Sequence, residues 1–103
     1  MPAKAPAINS ANSDFSPVLS ADGLTIFWSS DRPDGNAKGD FDIWTASRAS
    51  TDANFATPRN VAELNTDGLE EPAFLSPDGC RLYFERSPAR IDIRTVMMAE
   101  RPQ

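Results

Sequence analysis

The side chains of this sequence that could do chemistry are carboxylates, and they are concentrated in SDRPDGNAKGDFD at residues 30–42. Calcium prefers carboxylate and amide oxygens as ligands, although the spacing here differs from that of an EF-hand loop. A solvated loop between two strands is the alternative interpretation of the same segment. The sequence suggests no other cofactor, and it offers four calcium candidates: Asp31, Asp34, Asn36 and Asp40.

Most catalytic arrangements are excluded because the chain contains no histidine. Serine and cysteine nucleophiles that rely on a histidine base need an imidazole, and so do most zinc sites. Glu70 and Glu71 are adjacent, and neighbours on a strand point to opposite faces, so they do not form an acid–base pair. We predict no catalytic residue. A hydrolase that uses carboxylates alone, such as a propeller glycosidase, is the alternative.

Two stretches of the chain are nearly the same and lie 56 residues apart: SADGLTIFW at 20–28 and SPDGCRLYF at 76–84. Each Asp-Gly pair is expected to form a tight turn, because Asp accepts hydrogen bonds from nearby backbone and Gly adopts positive φ. Asp22 and Asp78 are therefore interpreted as structural. The flanking residues are typical of strands, so each copy is expected to begin as a β-hairpin.

Each copy continues with a third strand, FDIWTAS at 41–47 and IDIRTVMM at 91–98. Aligning Asp42-Ile43 with Asp92-Ile93 gives an offset of 50, which predicts that the second copy has lost six residues in the preceding loop. Asp42 and Asp92 are interpreted as hydrogen-bonded structural acceptors. The remaining strands are predicted at 16–20, 24–30 and 57–64 in the first copy, and at 72–76 and 80–86 in the second.

The repeat extends towards the N-terminus. At the same offset of 56, AINSANSD at 7–14 aligns with ELNTDGLE at 63–70, which places Asn9 on Asn65 and Ser10 on Thr66. The N-terminal PAKAPAI then corresponds to the outer strand at 57–64, and the second copy has no such strand after its third. The predicted organisation is an outer strand and connection at 1–13, a first repeat at 14–66, and a second repeat at 67–103 without its outer strand.

The strands carry apolar residues on both faces. Leu24, Ile26 and Trp28 point one way while Phe27 points the other, which predicts sheets that are covered on both sides. Small repeated sheets of this kind indicate a β-propeller. We predict an all-β fold with two four-stranded antiparallel blades, in which an N-terminal segment supplies the outer strand of the second blade. Trp28, Trp44 and Phe41 are expected to fill the space between blades.

The order of these motifs resembles that of a known family. SxDG, a strand ending in Phe-Trp or Tyr-Phe, SDR, a Gly-rich loop, DIW and a later Asn-Thr are similar to the WD40-like PD40 repeats of TolB-type bacterial β-propellers. The second copy departs from the pattern, since Glu85-Arg86-Ser87 replaces SDR and Arg94 stands where an aromatic residue is usual. The resemblance implies a propeller of about six blades, typically non-enzymatic, and often a periplasmic or envelope protein-interaction module.

Composition and charge argue against several classes of partner. The net charge is −5 at pH 7 and the ten basic residues are scattered, which is unlike a nucleic-acid surface. No apolar run approaches the roughly 20 residues of a membrane span, and MPAKAPAINS has no signal-peptide core. The sequence as written therefore suggests the cytoplasm, whereas the resemblance implies the periplasm. Cys80 is the single cysteine, so no internal disulfide requires an oxidising compartment.

Two blades cannot close a ring, and they would leave apolar sheet faces in water. We predict that chains associate head to tail into a cyclic homo-oligomer, with a trimer favoured by the six-blade resemblance and a dimer or tetramer as alternatives. The N-terminal strand of one chain would pair with residues 91–98 of its neighbour. The predicted function is a non-enzymatic binding or scaffold module that presents loops and an axial channel to a protein or small polar ligand. A fragment of a longer TolB-like propeller is the alternative.

Overall fold

Seven β-strands make up the regular structure of the part of the chain that the computed structural model describes, namely residues 10, 12–33, 37, 40–88 and 93–100. The predicted all-β class is confirmed. Within those residues, no helix has the length and hydropathy that a membrane span requires. The strands are β1 (Asp14–Leu19), β2 (Thr25–Ser30), β3 (Asp42–Ser47), β4 (Arg59–Asn60), β5 (Leu69–Leu75), β6 (Arg81–Ser87) and β7 (Thr95–Glu100).

The strands form two antiparallel sheets, one from each copy of the repeat. The first sheet has the order β1-β2-β3-β4, and the second sheet has the order β5-β6-β7. The strands predicted at 16–20, 24–30, 41–47, 72–76, 80–86 and 91–98 each have a counterpart, and the one predicted at 57–64 pairs only over Arg59–Asn60. The outer strand predicted at the N-terminus, PAKAPAI, lies outside the described residues. Within each sheet, strands that are consecutive in the chain are neighbours, as in a β-meander.

The two Asp-Gly turns are built from the same hydrogen bonds. In the first, the Ser20 hydroxyl donates to Oδ1 of Asp22 over 2.7 Å, and the amide of Leu24 donates to the same oxygen over 3.0 Å. Gly23 has a φ of 76°, in the left-handed region that Gly adopts without steric cost. The second turn repeats these contacts, with Ser76 and Cys80 as the donors to Asp78 and with Gly79 at a φ of 74°. The structural interpretation of both Asp residues is confirmed.

A buried ion pair anchors the start of the first sheet. Both the amide and the hydroxyl of Ser10 donate to Oδ2 of Asp14 over 2.9 Å. Arg32 donates to Oδ1 of Asp14 over 2.7 Å and to the Ser30 hydroxyl over 3.0 Å. Burial opposes ionisation of Asp14, but these donated hydrogen bonds outweigh it, so the pKa of the Asp14 carboxyl falls from 3.8 to about 2.

The second sheet begins with a copy of this arrangement. The amide of Thr66 donates to Oε1 of Glu70 over 3.0 Å, and its hydroxyl donates to Oε2 over 2.5 Å. Nε of Arg86 forms an ion pair with Oε2 of Glu70 at 3.3 Å, and Nη2 of the same guanidinium donates to the Leu64 carbonyl over 2.6 Å. Ser10 and Thr66, which align at the offset of 56, thus make equivalent contacts, whereas residues 1–9 lie outside the described residues. Arg86 takes the role of Arg32 although its sequence context differs.

The two sheets pack against each other through an apolar core. Side chains alternate along a strand, so one face of each sheet points to the other sheet. Fully buried Ile43 and half-buried Phe27 contribute from the first sheet. The buried members of this core are Ile43, Val61, Leu82 and Phe84, and Leu64, Leu75, Met97, Ala99 and Phe27 pack around them.

Trp28 and Trp44 lie outside the space between the two described sheets, and their packing against another blade stays a prediction. They form a second cluster with Ala46 on the opposite face of the first sheet, where Ala37 and Phe55 pack against them. The guanidinium of Arg32 lies 5.3 Å from the Trp28 ring centroid and 5.2 Å from that of Trp44. Phe41 stacks edge-to-face on Phe15 at 5.0 Å.

The third strand of the second copy has a different register from the predicted one. Leu82 pairs with Ala99 where Ile26 pairs with Ala46, so the two copies are related here by 53 residues and not by 50. The loop has therefore lost three residues, not six, and Thr95, not Asp92, corresponds to Asp42. The physical reason is burial, because the predicted register would have put Arg94 where Met97 now packs into the core. Asp92 itself lies outside the described residues.

Candidate functional site

The face of the second sheet that points away from the first sheet carries an exposed apolar patch. Its members lie on three adjacent strands, because Phe74 pairs with Tyr83 and Tyr83 pairs with Met98. Val96 lies two residues before Met98 and so shares its face. The exposed fractions are 54% for Phe74, 76% for Val96 and 48% for Met98. We call these four residues the outer face: Phe74, Tyr83, Val96 and Met98.

The outer face occupies positions that are covered in the first copy of the repeat. By the pairing of the strands, Tyr83 corresponds to Phe27, and Val96 corresponds to Ile43. Ile43 is 0% exposed and Phe27 packs beside it, because the second sheet covers them. Exposed large apolar side chains that are grouped on one sheet face are a feature of interaction surfaces. The outer face is therefore the candidate functional site.

A charged group lies beside the outer face, where the two sheets meet. Arg94 donates a hydrogen bond to Glu71 over 2.9 Å and another to Glu85 over 3.4 Å. Both hydrogen bonds raise the pKa of the Arg94 guanidinium, and the bond to Glu71 has the larger effect. Glu71 also accepts a hydrogen bond from Ser16, which lies in the β1 bulge at a φ of 55°. Arg94 thus bonds to two carboxylates that lie opposite each other on β5 and β6.

Glu70 and Glu71 diverge as the sequence predicts. Glu70 is fully buried and faces Arg86, whereas Glu71 faces Ser16 and Arg94. Asp42 is a buried acceptor as predicted, and it receives a hydrogen bond from the side-chain amide of Asn60 over 3.0 Å. These acidic side chains hold the fold together, and they do not converge on a common cavity.

The calcium candidates are described only in part. Oδ1 of Asp31 accepts a hydrogen bond from the amide of Ser13 over 2.8 Å, and Asp40 is exposed. Asp34 and Asn36 lie outside the described residues. Among the residues that the structure does describe, no three acidic, histidine or cysteine side chains gather into a possible metal site. The calcium hypothesis therefore stays a prediction.

The turn carboxylates are occupied by local bonds. The pKa of Asp22 is lowered by the Ser20 hydroxyl and the Leu24 amide, and that of Asp78 is lowered by the equivalent donors, Ser76 and Cys80. A carboxylate that already accepts two hydrogen bonds within its own turn has less capacity left for a ligand. This agrees with the structural interpretation of both turns.

Sequence reasoning missed the outer face as a specific set of residues, and it missed the group around Arg94. Val96 and Met98 are two residues apart, which places them on the same face of a strand. The predicted register of the third strand put these residues at the wrong positions, so this signal was not recognised. No sequence signal connects Arg94 to Glu71 and Glu85, because they come together only through the pairing of β5, β6 and the segment before β7.

Comparison with known proteins gives no match to a family model, a curated protein or a solved structure.

Proposed function

We propose that this chain is a non-enzymatic β-propeller module that assembles head to tail into a closed ring and serves as a binding scaffold. The observation that carries the proposal is the outer face. Its residues Tyr83 and Val96 stand at positions whose counterparts, Phe27 and Ile43, are covered by the next sheet. A further sheet of the same kind would cover them in the same way.

The other face of the first sheet is where such a sheet would dock. The second sheet covers the first with Leu82, Phe84 and Met97, among others. Their counterparts on the first sheet are Ile26, Trp28 and Trp44, on the face that points away from the second sheet. Ala37 and Phe55 pack on this cluster, so a docking sheet would contact them together with half-buried Ile26. At the margin of that face Leu19 is 51% exposed. Contacts between two different surfaces form rings when the rotation closes, so one interface repeated around an axis would complete the propeller.

The number of chains in the ring follows from the number of blades. Propellers have roughly four to eight blades, so two-blade chains would close as a dimer, trimer or tetramer. The similarity of the sequence to TolB-type propellers, with about six blades, favours the trimer. The loops and the axial channel of such a ring would present polar groups to a protein or small polar ligand. A longer propeller, of which these residues are a piece, would cover the outer face with its own next blade.

A carboxylate-only hydrolase is the competing function. It would need two carboxylates separated by roughly 5 to 10 Å with room for a sugar between them. Glu71 and Glu85 lie opposite each other on neighbouring strands, and Arg94 is bonded to both. A bridging guanidinium favours a structural role for these carboxylates, and this contact supports the binding module over the enzyme.

The proposal is tested by the mass of the protein in solution and by a charge placed on the outer face. Light scattering of the wild-type chain should give a whole-number multiple of 11.2 kDa, with three times that mass expected. Val96→Glu should shift the mass towards that of one chain, because burying an unpaired carboxylate in an apolar contact is costly. Ala49→Glu, which adds the same charge at an exposed residue after β3, is the matched control. A wild-type chain that is folded and monomeric would refute the assembly.

A further inference from the structure

A cleft opens onto the core between the two sheets, next to the second Asp-Gly turn. Its volume is about 390 Å³, within the range of roughly 300–1,000 Å³ that is typical of small-molecule sites. Its floor is apolar and comes from both sheets and their connection: Phe27, Val61, Leu64, Leu75, Leu82 and Ala99. Two of these residues, Val61 and Leu82, are only 5% exposed and belong to the core itself. The cleft is therefore a part of the core that solvent or a ligand can reach.

A smaller pocket of about 200 Å³ adjoins this cleft and lies between the two Asp-Gly turns. The two spaces share Phe27, Leu75 and Gly79, so the apolar wall continues from one into the other. Asp22 and Asp78 both line the smaller pocket. The two copies of the repeat thus present equivalent carboxylates to one space. We call the cleft and the smaller pocket together the turn cleft.

The charged residues around the turn cleft are mostly acidic. Four carboxylates and one guanidinium are among the described residues that line it: Asp22, Asp78, Glu63, Glu100 and Arg59. Arg59 lies 3.8 Å from Glu63, and Arg81 lies 3.0 Å from Glu100, but both pairs are exposed and such pairs are weak. Arg48, beside the first turn, donates to the Gly23 carbonyl over 2.8 Å. The excess of carboxylates around an apolar floor favours a positively charged ligand.

The two turn carboxylates keep their charge although they are hydrogen-bonded. In each turn the local hydrogen bonds end on Oδ1 of the Asp. The hydroxyls of Ser20 and Ser76 contribute most to lowering the pKa of Asp22 and Asp78, respectively, so both groups are ionised at neutral pH. A full negative charge attracts a cation at the turn cleft without any change in the turn itself.

We propose that the turn cleft binds a small organic cation, one that joins an apolar body to an ammonium or guanidinium group. The apolar body packs on Phe27 and Leu75, which line both spaces, and the cationic group lies beside the surrounding carboxylates. The site does not depend on the ring. Both of its walls belong to one chain, and the ring contacts proposed above use the opposite face of each sheet.

Three ligands with the same apolar body and different charges test the proposal: phenethylammonium, phenethyl alcohol and hydrocinnamate. Cys80 is the single thiol of the chain and lines the turn cleft, so an occupant should slow its alkylation by iodoacetamide. We expect phenethylammonium to protect Cys80 and to bind about tenfold more tightly than hydrocinnamate. This preference should disappear in about 1 M salt, where the Debye length is only about 3 Å. Equal affinity for the three ligands, or no protection of Cys80 by the cation, would overturn the inference.

Two variants remove charge from the turn cleft in different ways. Asp22→Asn with Asp78→Asn keeps a side-chain oxygen in each turn, and Glu63→Gln leaves both turns untouched. Each should weaken the binding of phenethylammonium by about threefold or more and leave that of phenethyl alcohol unchanged. Asp67→Asn, which removes the same charge at an exposed residue ahead of β5, is the matched control. If Asp67→Asn weakens binding as much, the cation responds to the net charge of the chain and the proposed site is wrong.

The mass of the protein in solution separates this inference from the ring. Selective binding of one cation per chain by a folded monomer would support the turn cleft while refuting the ring. A multimer whose Cys80 is alkylated equally fast with and without phenethylammonium would refute the turn cleft and leave the ring standing.

Discussion

Arg32 is the residue at which the fold of the first sheet can be tested most sharply. Its side chain is 6% exposed, it is bonded to Asp14, and it lies over Trp28 and Trp44. Arg32→Met keeps an apolar stem over the two rings but removes the charge. Leaving a buried charge without its partner costs several kcal/mol, and Asp14 retains donors from Ser10. We therefore expect the free energy of unfolding to fall by about 3 kcal/mol.

The assay is urea unfolding followed by the fluorescence of the two tryptophans, which both contact Arg32. All variants are compared at one protein concentration, because self-association makes the apparent stability depend on concentration. Arg59→Met is the control, since Arg59 and Glu63 are exposed and 3.8 Å apart, and the change should stay within about 0.5 kcal/mol. Asp14→Asn in the Arg32→Met chain should recover part of the loss. A loss below about 0.5 kcal/mol for Arg32→Met would contradict the role given to the ion pair.

Two further predictions concern acid and calcium. The pKa of Asp14 is lowered from 3.8 to about 2, so its contribution to stability is present above pH 4 and is lost as the pH falls from about 4 to 2. Asp14→Asn should remove about 1–2 kcal/mol of that acid dependence, and parallel pH profiles of wild type and variant would contradict the assignment. For the 30–42 loop, a calcium site predicts a higher melting temperature in millimolar calcium than in chelator, and Asp34→Asn with Asp40→Asn should abolish the difference. If the wild-type chain melts at the same temperature in calcium and in chelator, residues 30–42 form a solvated loop and not a calcium site.

The parts of the fold that could be predicted from the sequence are those fixed by local bonds. A Ser, an Asp and a Gly within four residues are enough to specify each turn, because the donors, the acceptor and the positive φ all lie in one short stretch. Because these stretches occur twice, the sequence also predicts that each copy forms the same series of antiparallel strands. The third strand of the second copy was misplaced because Asp92-Ile93 looks like Asp42-Ile43. Burial of Met97 and Ala99 against β6 decides the register, and that depends on packing between sheets.

The candidate site was harder to predict for the same reason. Both faces of these strands carry apolar residues, so the pattern alone cannot say that Trp44 is covered by its own connecting segments while Val96 is exposed. Burial of Trp44 also depends on Arg32 and Phe55, which come from two different loops. The ion pairs of Arg94 need the pairing of three separate segments. Such contacts join residues that are far apart in the chain, so no regular spacing in the sequence predicts them.

In the proposed ring, the outer face of one chain contacts the first sheet of another. Nuclear Overhauser contacts in a mixed sample, with one half of the chains isotope-labelled and the other half unlabelled, test it most directly. A head-to-tail ring should give intermolecular contacts from the methyl groups of Val96 and Met98 to Leu19 and Ile26. Intermolecular contacts from Met98 to Met98, which a two-fold interface would give, or the absence of any intermolecular contact at the outer face, would contradict it.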